Sequence, residues 1–65
     1  MQEPLVYFTH IINAKTYGAW YRRLSSTDIE VFAAGLMRRA PCPEGQELAT
    51  SRAILEEFVR SREQQ

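Results

Sequence analysis

The sequence predicts an all-α domain built as a small three-helix arrangement, and three observations carry that prediction. Ile29, Phe32, Ala33, Leu36, Met37 and Ala40 recur at the spacing of one helical face. Leu48, Ser51, Leu55, Phe58 and Val59, widened by Ile54, repeat the pattern in the C-terminal third. Between the stripes stand helix-breaking stretches, Ser25-Ser26-Thr27-Asp28 and Pro41-Cys42-Pro43-Glu44-Gly45.

The first segment, residues 5–24, has two possible forms. Leu5, Phe8 and Ile12 share one helical face, and Tyr17, Trp20, Tyr21 and Leu24 share another. At 100° per residue the second stripe lies roughly 120° around from the first. Either one long helix offers apolar residues to two neighbours, or residues 5–12 are a short extended stretch and Asn13 caps a helix from Ala14. Val6, Tyr7, Phe8, Thr9, Ile11 and Ile12 have good strand propensity. A lone strand lacks a partner in a helical chain unless two copies pair, so the long helix is preferred.

The second helix begins at a capping box, Thr27 with Glu30, with Ser26 as the rival N-cap and Asp28 against the positive end of the dipole. It runs to about Arg39. Gly35 inside it costs about 1 kcal/mol against alanine and allows another helix to approach. Pro41 ends it. The third helix begins between Glu44 and Leu48. Its acidic start (Glu44, Glu47) and basic end (Arg60, Arg62) both suit the dipole, and its tail, Glu63-Gln64-Gln65, is expected to fray.

Sixty-five residues make a single small domain, residues 1–65, near the lower limit for independent folding. Such chains usually need a staple. Cys42 is the sole cysteine and His10 the sole histidine, which excludes an internal disulfide and leaves no zinc ligand set. Stabilisation by a partner or a second copy is the staple left over. Charge is zero overall but uneven. Residues 1–40 carry five basic and three acidic side chains, and residues 41–65 carry the reverse. Without a basic excess, nucleic-acid binding is disfavoured. The start Met1-Gln2-Glu3-Pro4 is not that of a signal peptide, and the apolar run at 5–12 is too short to span a bilayer. With one unpaired thiol, the expected location is cytoplasmic.

No catalytic, cofactor or metal constellation is legible. The three glycines are scattered and form no phosphate loop. His10 has no nucleophile or carboxylate at a recognisable spacing. Cys42, expected to be exposed between two prolines, lies near a helix start, the one feature that would support a reactive thiol. Arg22-Arg23 and Arg38-Arg39 read as cations ending helices, and Trp20 reads as core. The partner-binding candidates are Tyr7, Phe8 and Ile11, out of phase with the rest of their segment, with Tyr21, Arg22 and Arg23 as the flank. The expected function is a non-enzymatic interaction module. It would be an accessory regulator or inhibitor that binds a larger protein, or itself, through the N-terminal apolar patch. The alternative is a small helical DNA-binding regulator, weakened by the acidic start of its second helix.

Overall fold

The computed structural model describes residues 4–63. Four strands and one helix follow in order: β1 (Val6–Ile12), β2 (Lys15–Arg23), β3 (Asp28–Ala33), β4 (Leu36–Pro41) and α1 (Glu47–Glu63). The strands form one antiparallel meander in chain order, with β1 and β4 at its edges. This corrects the all-α, three-helix prediction: the first two predicted helices are two β-hairpins, and the chain is not a helical bundle. The expectations for Met1–Glu3 and for the last two residues of the tail lie outside the described residues.

Two tight turns explain the difference. Asn13 and Ala14 have φ of 52° and 65°, and Ala34 and Gly35 have φ of 54° and 76°. Two consecutive left-handed residues between antiparallel strands make the hairpin turn whose twist matches that of the strands. Asn13, a helix cap only in the alternative with residues 5–12 extended, opens the first turn. Gly35, a liability inside a helix, supplies the second left-handed residue of the other turn without steric cost. The two stripes of residues 5–24 fall out of phase because they lie on different strands. The expected capping box dissolves as well, since Thr27 sits in the β2–β3 loop and accepts the Cys42 N–H at 2.7 Å. Pro41 ends edge strand β4 opposite Asp28, where the missing N–H leaves no gap in the ladder.

The apparent helical stripe at 29–40 is a coincidence of spacing. Ile29 and Ala33 point to one face of the sheet and Phe32 to the other, and the register places Met37 beside Phe32. Both faces of this hairpin carry apolar residues, so the summed pattern imitates a 3.6-residue period.

α1 covers one face. Its Ile54, Leu55, Phe58 and Val59 close over Phe8, Ala19, Ile29, Val31 and Ala33, with Cys42 completing the core. Ala19 is fully buried, and its small side chain lets the helix come close to the middle of β2. Polar ties pin the helix to three strands. His10 Nε2 donates to Glu56 Oε2 at 3.0 Å, Arg23 grips Glu47 at 2.8 Å, and Arg38 pairs with Glu57 at 2.6 Å while lying 5.0 Å over the Phe58 ring. No described helix is long and apolar enough to cross a membrane.

Ser51 is fully buried on the same face, and its Oγ has no partner among the described residues. Two substitutions therefore move stability in opposite directions, read from urea midpoints. Leu55→Ala removes a wholly buried side chain and should cost about 2–5 kcal/mol. Ser51→Ala removes an unsatisfied hydroxyl and should be neutral or stabilising by up to about 1 kcal/mol.

Candidate binding face

The face of the sheet opposite α1 has no cover among the described residues. Register aligns Tyr7 with Trp20, Trp20 with Phe32, and Phe32 with Met37, so one apolar row crosses all four strands. Tyr7 is 57% exposed, Trp20 45% and Met37 57%. Phe32 is half-buried between its neighbours. Ile11, 67% exposed, extends the surface along β1.

The row has internal order. The Tyr7 and Trp20 rings sit 5.0 Å apart at 58°, a tilted aromatic pair. The Tyr7 hydroxyl lies directly over Gly18, where an added Cβ would come within 2.3 Å of it. Glycine at this position leaves room for the Tyr7 ring to lie along β2. Beside Trp20 the surface dips into a hollow of about 360 Å³, floored by Gly18, Phe32 and Met37 and walled by the Ala34–Gly35 turn.

Charge on this face is balanced. Arg22 brings Nε to 2.8 Å and Nη2 to 2.7 Å from Glu30 Oε1, and the Glu30 side chain is only 7% exposed. The same guanidinium stands 5.8 Å over the Phe32 ring. Arg39 and Asp28 complete the charged set by alternation along β4 and β3. Cations and anions are therefore equal in number.

The structure divides the residues expected to bind a partner. Tyr7, Ile11 and Arg22 stand on the open face. Phe8, Tyr21 and Arg23 stand on the helix side: Phe8 is core at 8% exposure, and the half-buried Tyr21 ring lies 6.1 Å from it. The two arginine pairs end no helix. In each pair alternation sends one member to each face, Arg22 and Arg39 outward, Arg23 and Arg38 toward α1. Trp20, Phe32 and Met37 were not among the candidates. Trp20 read as helix core and the other two as a helical stripe. The signal for Phe32 and Met37 was the Ala34-Gly35 turn between two short apolar runs.

Arg23 acts as an anchor beneath the site. Its guanidinium donates to Glu47 Oε2 at 3.0 and 2.8 Å, to the Ser25 and Cys42 carbonyls at 2.9 Å each, and to the Pro43 carbonyl at 3.2 Å. One side chain thereby fastens the β2 end, the following loop and the start of α1. Glu47 also accepts the Gly45 N–H at 3.0 Å. Its own backbone amide, and next the Arg23 hydrogen bond, hold its carboxyl below the ordinary value of 4.5, against opposing desolvation.

Cys42 is buried, contrary to the exposure expected of it, with the Arg23 Nη2 at 3.6 Å from its sulfur. His10 lies on one edge strand and Cys42 just beyond the other. Among the described residues no group of three or more His, Cys, Asp or Glu side chains is placed to hold a metal ion. The candidate site is thus a surface, an apolar and aromatic row with a hollow at one end. No family model, curated protein or solved structure matches the chain.

The Glu47 anchor predicts a pH dependence. Its folded-state value is depressed, so its contribution is complete above pH 4.5 and fades as pH falls through the folded value below that. In urea titrations repeated at decreasing pH, Glu47→Gln should abolish that acid-sensitive component. The wild type should be the more stable by a constant margin above pH 4.5, and the two curves should converge as pH falls below it.

Proposed function

We propose that this chain is a non-enzymatic interaction module that docks a protein partner on the open face of its sheet, as an accessory regulator or inhibitor of a larger protein. The observation that carries this reading is the exposed Tyr7–Trp20–Phe32–Met37 row, which spans the whole sheet. A contiguous aromatic surface of this kind on a small domain marks an interaction site. Tyr, Trp, Phe, Met and Arg are also the residue types enriched in protein interfaces.

Trp20 serves as the anchor, and the adjoining hollow receives an apolar side chain from the partner. Arg22, already oriented by Glu30 and Phe32, offers a polar contact with little loss of side-chain freedom. His10 and Cys42 take no catalytic role in this reading, and the unpaired thiol suits a reducing cytoplasmic setting.

The competing occupant is a single-stranded nucleic acid, since an aromatic row on a four-stranded sheet is also a base-stacking platform. The balanced charge of the face argues against it, because phosphate binding needs a basic excess. A helix-turn-helix is ruled out by the fold, since one helix is all the described residues contain.

A photo-crosslinking side chain placed at Met37, and as a control at Ala53 on the outer side of α1, tests this reading in the native host. Met37 should yield a discrete protein adduct that Ala53 does not, and Trp20→Ala should weaken binding of that partner at least roughly thirtyfold, as expected of a hot spot worth 2 kcal/mol or more. Identical adducts from both positions would overturn the reading. So would quenching of Trp20 fluorescence by a single-stranded oligonucleotide that weakens steeply with salt.

A further inference from the structure

The hairpin register fixes which backbone groups of β1 face outward. A two-residue turn of this type is closed by a hydrogen-bonded pair, here Ile12 with Lys15. Bonded and non-bonded pairs alternate from there. Val6, Phe8, His10 and Ile12 therefore commit their N–H and C=O groups to β2. Tyr7, Thr9 and Ile11 direct theirs away from the sheet, and among the described residues no strand lies beyond β1.

Exposed edges are normally blunted by charge, proline or a bulge. β1 has none of these. Val6–Ile12 contains no proline, lysine, arginine or carboxylate, and its seven residues pair with β2 without interruption. The opposite edge is guarded, since β4 carries Arg38, Arg39 and Pro41.

We propose that two copies of this chain pair antiparallel through β1 about a two-fold axis at Thr9, joining two four-stranded sheets into one of eight strands. The backbone admits only registers that set outward-facing residues against each other. Centring on Thr9 opposes Tyr7 to Ile11 of the second copy on both sides of the axis, an aromatic–β-branched pair of the kind that stabilises sheets. On the helix side, Val6 meets Ile12 and Phe8 meets His10. Sliding by two residues sets Tyr7 against Thr9 or Asn13 and loses the pair. No formal charge meets its like, because the strand carries none. The pairing covers Tyr7 and Ile11, two of the most exposed apolar residues of the chain. It shares Tyr7 with the proposed docking row and leaves Trp20, Phe32 and Met37 open for that docking.

Thr9 gives a test specific to this register, because the axis places it opposite itself. The wild type should sediment at twice the 7.5 kDa mass of the chain. Thr9→Glu and Thr9→Lys, each of which opposes like charges, should sediment at 7.5 kDa with unchanged circular dichroism, and an equal mixture of the two should return to the doubled mass. A wild type that stays at 7.5 kDa at every accessible concentration overturns the proposal, as do variants that remain dimeric separately or a mixture that fails to reassociate. Should the variants unfold, amide exchange in the wild type decides. The Tyr7, Thr9 and Ile11 amides should gain protection as concentration rises, and unprotected exchange at these amides overturns the pairing.

Discussion

A sheet has two faces, and this chain has one described helix with which to cover them. That constraint organises the rest of the molecule. α1 contributes Ile54, Leu55, Phe58 and Val59 to a core whose other wall is Phe8, Ala19, Ile29, Val31 and Ala33. Packing on that side is ordered by polar ties to three strands. The opposite side receives nothing from the described residues, yet its alternate positions carry Tyr7, Trp20, Phe32 and Met37. A face destined for water would carry threonine, lysine and glutamate at those positions, giving the polar-out alternation usual of a one-sided antiparallel sheet. The residues at those positions are apolar and aromatic instead, and three of the four are exposed.

The same fact explains what the sequence conceals. Strands with one wet face alternate cleanly, and alternation is the mark by which they are recognised. In β3 and β4 both faces carry apolar residues, and the superposed patterns at Ile29, Phe32, Ala33, Leu36, Met37 and Ala40 reproduce helical spacing. The turn residues carried the missing information. Ala34-Gly35 and Asn13-Ala14 are weaker signals than Asn-Gly, since alanine at positive φ is sterically disfavoured and is tolerated here because the strands on either side impose it. α1, which has one wet face, is legible as a helix in the amino-acid pattern because nothing is superposed on it. Of the site, the unusual exposure of Tyr7 and Ile11 was legible because they fell out of phase with their segment. Phe8 could not be separated from them until the register was known, since a neighbour one residue along a strand points to the other face. Trp20 was hidden for the reverse reason, being a residue type that reads as core wherever it stands.

Arginine placement links the covered side to the open one. Arg22 and Arg23 are sequence neighbours that serve opposite faces, the first fixing Glu30 among the aromatics and the second fixing the start of α1 through Glu47. Strand β2 thus carries, on adjacent residues, the tie that seats the helix and the tie that orders the open face. Glu30 sits at the centre of this arrangement. It is a nearly buried carboxylate on a face without a cover, and it tolerates that position because Arg22 bonds it and lies over Phe32 beside it. The pair costs desolvation and returns a fixed geometry, which is the use of partly buried ion pairs most consistent with a recognition surface.

The pairing of charge within the chain also shapes how association can proceed. Arg22, Arg23 and Arg38 each have a carboxylate within 2.8 Å, so much of the charge of the sheet is neutralised locally. A surface of this kind projects little long-range field and does not steer a partner from a distance. In the proposed docking, encounter would proceed at the roughly 10⁵–10⁶ M⁻¹s⁻¹ expected of neutral surfaces, and affinity would come from slow dissociation. Slow dissociation in turn requires contacts that are already ordered before binding. The tilted Tyr7–Trp20 pair, the bare backbone at Gly18 and the restrained Arg22 supply that order, in a line running from the unguarded edge of β1 to the hollow beside Met37. An apolar surface with little charge to attract its partner is selective only if its shape is fixed, and the helix on the far side of the sheet is what fixes it.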